Sequence, residues 1–150
     1  MFRKSIIGLS MAAAAFLAAG HAQAAGEKVT IVTPYLAQPG TQFYVEAFQA
    51  KAKEFGWQVN VVDTKGDVAA AVGRIEDAAT QKVSAIVINV DPSQVAAGLE
   101  AAKAAGVPVF GMDSGATPLL VTNVTSNGYA MAADTASYVA NRIGIGRAHV

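Results

Sequence analysis

Four short runs rich in β-branched residues, Val29 to Thr33, Trp57 to Asp63, Ala85 to Val90 and Val107 to Met112, begin 28, 28 and 22 residues apart. Those intervals are too long for hairpin loops and each has room for one helix, so successive strands are expected to run parallel with helical crossovers. The intervening segments carry the helical period. Tyr44, Phe48, Ala52 and Phe55 fall at steps of four, four and three, and Gly56 follows as a C-terminal signal. Val68, Val72, Ile75 and Ala79 repeat behind Asp67, whose carboxylate can cap the free N–H groups of a first turn. Pro92 suits the opening turn of a third helix that buries Val95, Leu99 and Ala102 and stops at Gly106. Ala85-Ile86-Val87-Ile88 is apolar on both faces, as a parallel strand covered by helices on both sides requires. A fifth strand is expected at Leu120 to Val124 and a last helix from Tyr129 to Ile143. The pattern predicts a three-layer α/β/α sandwich around a parallel sheet, of flavodoxin or Rossmann-like type.

Composition removes many chemistries. At 150 residues, 53% hydrophobic and 15% charged, the chain has length for one domain and too much apolar content to stay disordered. Eleven Lys and Arg balance eleven Asp and Glu with no basic stripe, so a surface built to neutralise nucleic-acid phosphates is not expected. The lack of Cys excludes a disulfide framework, a thiolate metal site, a Cys nucleophile and a Cys-linked lipid anchor.

Residues 1–24 have the form of a secretory signal peptide: Arg3 and Lys4, an apolar run from Ile6 to Ala19, and Ala22-Gln23-Ala24 before a cleavage point at Ala25. The run is shorter than the roughly 20 residues a membrane span needs. Cleavage would remove Arg3, Lys4 and His21, leaving nine basic and eleven acidic residues, a net charge of −2, and one histidine, His149. A His-based triad or metal cluster cannot be assembled from one histidine, and no metal or cofactor is expected.

In an open parallel sheet, ligands bind beyond the carboxyl ends of the strands, where loops diverge and helix N-termini point inward. The first strand leads into Thr41-Gln42-Phe43-Tyr44, with the two aromatics expected at the start of the helix; the third leads into Asn89-Val90-Asp91-Pro92; the fourth into Asp113-Ser114-Gly115. Carboxylates, amides and hydroxyls beside an aromatic face suit a neutral polyhydroxylated ligand. A phosphate would call for a Gly-rich cradle with Lys, and Gly144-Ile145-Gly146 follows no strand. Each candidate also has a plainer role. Asp113 can cap a turn, Asn89 and Asp91 can serve the turn and helix cap before Pro92, and Tyr44 lies on the apolar stripe, which makes Phe43 the better ligand-facing aromatic.

Signal, strand order and rim residues together resemble the periplasmic sugar-binding proteins of ABC transporters, the ribose-binding, LacI-like type I group. The resemblance covers about residues 28 to 143. It rests on Thr41-Gln42-Phe43-Tyr44 where the family has Asn-Pro-Phe-Phe/Trp, on Gly106-Val107-Pro108-Val109 leading to Asp113, and on Ser126-Asn127-Gly128-Tyr129 where the family has Ser-Asp-Asn. It implies that Phe43 and Tyr44 stack on a sugar and that Asp113 accepts its hydroxyls, with Thr41, Gln42, Asn89, Asp91 and Ser114 around them. It implies no catalysis, an inner-membrane ABC permease as partner, and a monomer when complete. Ribose binders of the family have Arg after that Asp and Asn at the place of Thr41. Ser114 and Thr41 here leave other sugars, polyols or a different small polar ligand open. The signal stands where the family's repressors carry a DNA-binding helix-turn-helix, which favours transport or sensing. An exported sensor for a chemoreceptor and a flavodoxin-like enzyme are the alternatives.

Family members have two lobes closing on the ligand. Residues 25–122 correspond to the first lobe, and 123–150 to the first crossover and the start of a second. The stretch after Gly144 has the character of a fragment end or a shifted reading frame, and half a cleft is expected to bind sugar weakly at most.

Overall fold

The computed structural model describes residues 26–143. The proposed leader and the stretch after Gly144 lie outside the described residues. Five strands, β1 (Lys28–Thr33), β2 (Gln58–Asp63), β3 (Ala85–Ile88), β4 (Val109–Met112) and β5 (Thr122–Val124), form one sheet in the order β2-β1-β3-β4-β5, every pair parallel. Four α-helices accompany them: α1 (Pro39–Glu54), α2 (Val68–Thr80), α3 (Ala96–Ala105), which continues a 3-10 turn at Pro92–Val95, and α4 (Gly128–Ile143). The strand order reverses direction between β1 and β3. With right-handed crossovers, that reversal sends α1 to one face of the sheet and α2 and α3 to the other.

The face under α2 and α3 is fully packed. Val32, Ile86, Ile88 and Val109 from the strands meet Ala71, Ile75, Ala78, Leu99 and Ala102 from the helices, all buried. Small residues bring the two helices close. A Cβ on Gly98 would lie 3.0 Å from Ile75 Cβ and 3.1 Å from the Val72 carbonyl oxygen. Asp67 accepts a hydrogen bond from Ala70 N–H at 2.9 Å and opens α2 as expected. Gly106, at φ 73°, ends α3 in the left-handed region that a Cβ disfavours.

The face under α1 is thinner. Val29, Ile31 and Val87 are buried there with Val45, while Phe48, Leu36, Phe110 and Met112 are only partly covered. Beyond α1 an apolar groove of about 800 Å³ stays open, with Tyr44, Phe48 and Trp57 on one wall and Val87, Phe110 and Val124 along the sheet. The apolar stripe read from the sequence is corrected here. Phe55 does not join Tyr44, Phe48 and Ala52, because α1 ends at Glu54 and the Phe55 ring turns outward onto Trp57, with centroids 5.2 Å apart, while Val45 takes the buried position.

Four strands are shorter than their sequence runs: Asn89 and Val90 fall outside β3, Val107 and Pro108 outside β4, Trp57 outside β2, and Leu120 and Val121 outside β5. Past β5, α4 projects with no buried residue along its length.

Candidate functional site

The carboxyl ends of β1, β3 and β4 meet at one edge, next to the point where the strand order reverses. One buried amide joins them. Asn89 Oδ1 accepts hydrogen bonds from the hydroxyls of Thr33 at the end of β1 and Thr41 in the first turn of α1, both at 3.3 Å. Its Nδ2 donates to the carbonyl of Met112, the last residue of β4, at 2.6 Å. Thr33 also accepts from Tyr35 N–H at 3.1 Å, which fixes the start of the loop into α1. Thr33, Thr41 and Asn89 are all buried. A buried amide so bonded stabilises the fold, because each neighbour would otherwise be a desolvated polar group without a partner.

This network carries the candidates to their places. Pro39 starts α1 earlier than expected, so Thr41 and Gln42 lie on the helix ahead of Phe43 and Tyr44 and not in a loop. Thr41 points into the fold, Gln42 and Phe43 point out, and Tyr44 turns along the sheet into the apolar groove. Phe43 is 69% exposed and meets Tyr44 edge-on at 6.3 Å. Asp113 follows Met112 directly. It is therefore on the same edge as the first turn of α1, tied to it through Asn89.

Asp113 has φ 52°, a left-handed conformation uncommon for a residue with a Cβ. Its N–H donates to the Val124 carbonyl at 2.7 Å, and its Oδ1 accepts from Thr125 Oγ1 at 2.7 Å and Ser126 Oγ at 3.4 Å. Ser114 faces the other way. Its N–H and Oγ donate to Asn123 Oδ1 at 3.1 and 3.0 Å, and Asn123 Nδ2 donates back to the Ser114 carbonyl at 2.6 Å. Gly111 makes that clasp fit, since a Cβ there would stand 2.4 Å from Ser114 Oγ and 2.5 Å from Asn123 Oδ1. Asp91 caps the 3-10 turn, accepting from Ser93 N–H at 2.9 Å and Ser93 Oγ at 2.8 Å, bonds that hold its carboxyl below the ordinary range. A Cβ on Gly115 would come within 3.9 Å of Asp91 Oδ1, so the loops after β3 and β4 lie side by side.

The eight residues singled out from sequence thus divide. Gln42, Phe43, Asp91 and Asp113 present exposed side chains at the edge, whereas Thr41, Asn89 and Ser114 have theirs bonded within the scaffold and Tyr44 borders the groove. Burial and mutual hydrogen bonding give Thr41 and Asn89 a supporting role in the scaffold. Thr33 and Asn123 were missed. Their signal is faint, a hydroxyl ending an apolar strand and an amide inside a short one, and only the fold supplies their partners. Among the described residues no three His, Cys, Asp or Glu side chains gather to hold a metal, and no helix is long and apolar enough to cross a membrane.

The periplasmic binding protein domain, a sequence family, matches residues 29–147. The chain belongs to that family. Among periplasmic binding proteins it is 31% identical over 132 residues to the D-apiose import binding protein of Actinobacillus succinogenes, covering 86% of this chain and 41% of that one. It is 32% identical over 106 residues to the ribose import binding protein of Bacillus subtilis, covering 67% and 34%. A solute binding protein from Clostridium phytofermentans with bound β-D-glucose shares the fold at a TM-score of 0.74 and 18% identity, over 81% of this chain and 39% of that one. The chain spans well under half the length of these relatives.

Proposed function

We propose that residues 25–122 form the first lobe of an exported, non-enzymatic solute-binding protein of a carbohydrate ABC importer, with the stretch from residue 123 leading toward a second lobe. The ligand is a sugar or polyol held at the edge formed by the ends of β1, β3 and β4. Phe43 offers its ring to the C–H face of the ligand. Asp113 and Gln42 hydrogen-bond its hydroxyls, and Asp91 lies close enough to the Asp113 loop to contribute. The observation that carries this reading is the Asn89 network, which ties the helix bearing Phe43 to the strand end bearing Asp113. The relatives named for D-apiose and ribose import support the ligand class, and membership of the family supports a periplasmic location and an ABC permease as partner.

The mechanism needs no bond to be made or broken. One lobe supplies one wall, and full affinity comes when a second wall closes over the ligand and excludes water. The 150-residue chain should therefore bind weakly. Titrating isotope-labelled chain with ribose, allitol, glucose and myo-inositol while following amide shifts should give millimolar binding with shifts confined to residues around Phe43 and Asp113. Phe43→Ala and Asp113→Ala should each remove them. A panel without any response, or shifts centred elsewhere, would defeat the assignment.

A further inference from the structure

Past β5 the chain leaves the lobe, and few atoms hold it there. None of the residues of α4 is buried, and its side-chain hydrogen bonds are local: Asn127 Oδ1 caps Ala130 N–H, and the hydroxyls of Thr135 and Ser137 donate to carbonyls four residues back. Beyond the β4–β5 ladder, which ends at Val124, the hydrogen bonds that tie Thr125 and Ser126 to the sheet among the described residues converge on Asp113. The Asp113 N–H donates to the Val124 carbonyl, and the Thr125 and Ser126 hydroxyls both donate to Oδ1, at 2.7 and 3.4 Å.

That asymmetry matters for the ligand edge. A carboxylate only accepts, through about four lone-pair sites on two oxygens. With Oδ1 taken by the crossover, Oδ2 is the oxygen left for an incoming hydroxyl. Rotating the carboxylate would break both crossover bonds, and the short bond from Thr125 has the charge-assisted character of the stronger kind.

We propose that Thr125 and Ser126 are positioning residues: their hydroxyls orient the Asp113 carboxylate at the ligand edge and, through the same bonds, fix the direction in which α4 leaves the lobe. The first half rests on reading that edge as a ligand site. The second half stands on the hydrogen bonds alone.

The full chain has no cysteine, so paired nitroxides can be placed uniquely at Lys103→Cys on α3 and Asp134→Cys on α4, both exposed. Pulsed electron–electron distance measurement without sugar should give one narrow distribution. Combining Thr125→Val with Ser126→Ala should widen it at least twofold while the circular dichroism and thermal midpoint of the lobe hold. Thr125→Ser, which keeps the hydroxyl, should restore the narrow form. The Asp113 Cγ resonance should move in the double variant and return in Thr125→Ser. Superimposable distributions for parent and double variant would overturn the inference, and an unmoved Cγ resonance would overturn its carboxylate half. No sugar is added, so a failure here is distinct from a failure of the titration that tests the ligand edge.

Discussion

The two faces of the sheet use similar residues to opposite effect. Under α2 and α3, Ile75, Ile86, Ile88 and Leu99 are completely buried, and Gly98 lets the helices close on each other. Under α1, Phe110 and Met112 are only half covered, Val124 is 71% exposed, and the groove beside Tyr44 and Phe48 stays open. Apolar residues on a strand are thus a necessary condition for a core and not a sufficient one. A helix must lie across them, and α1 spans only part of the width of its face.

The comparison is most exposed to large-to-small substitution. Leu99→Ala and Ile75→Ala should each cost about 2–5 kcal/mol in urea unfolding, since the removed atoms leave a cavity that tight helix packing cannot close. Phe110→Ala, beside open space, should cost about 1 kcal/mol, because little new cavity forms and little area returns to water. Equal losses on the two faces would show that the groove is filled in solution. Asn89→Ala comes next, at about 1–3 kcal/mol, because it leaves two buried hydroxyls and the Met112 carbonyl without their partner. It should also shift the amide resonances of both Phe43 and Asp113, and a change confined to one of them would break the link proposed between them. Asp67→Ala should remove about 1 kcal/mol by uncapping α2 on the packed face.

The smallest effect concerns pH. The hydrogen bonds from Ser93 hold the Asp91 carboxyl below its ordinary value of 3.8, so the folded chain takes up that proton less readily than the unfolded one. The contribution is present above pH 3.8 and disappears as the pH falls through the lower folded value. Asp91→Asn should therefore leave the thermal midpoint at pH 7 nearly unchanged and flatten slightly its decline below pH 4, as read by acid thermal scans.

Much of the fold was legible because its signals are local. The intervals between the β-branched runs, the fully apolar Ala85–Ile88 and the caps at Asp67 and Gly106 each follow from neighbours a few residues away. The candidate site was legible only as a list. Asn89 reads first as a turn residue and only second as a ligand group until β1, β3 and β4 are brought together and its amide is seen between Thr33, Thr41 and Met112. Phe55 was misread because a helical step continues the stripe past the residue where the helix stops. The signal of Asn123 was faint, since its partner Ser114 is nine positions away and reaches it only across the gap that Gly111 leaves.

Periodicity and chain stiffness, which act over one or two turns, were enough to establish parallel strands with helical crossovers and to mark the edge where polar residues gather. Which of those residues face outward, and which face of the sheet is sealed, depended on tertiary packing. A hydroxyl or amide becomes a support or a contact according to whether a partner from a distant strand end comes within hydrogen-bond reach, and no local pattern encodes that distance.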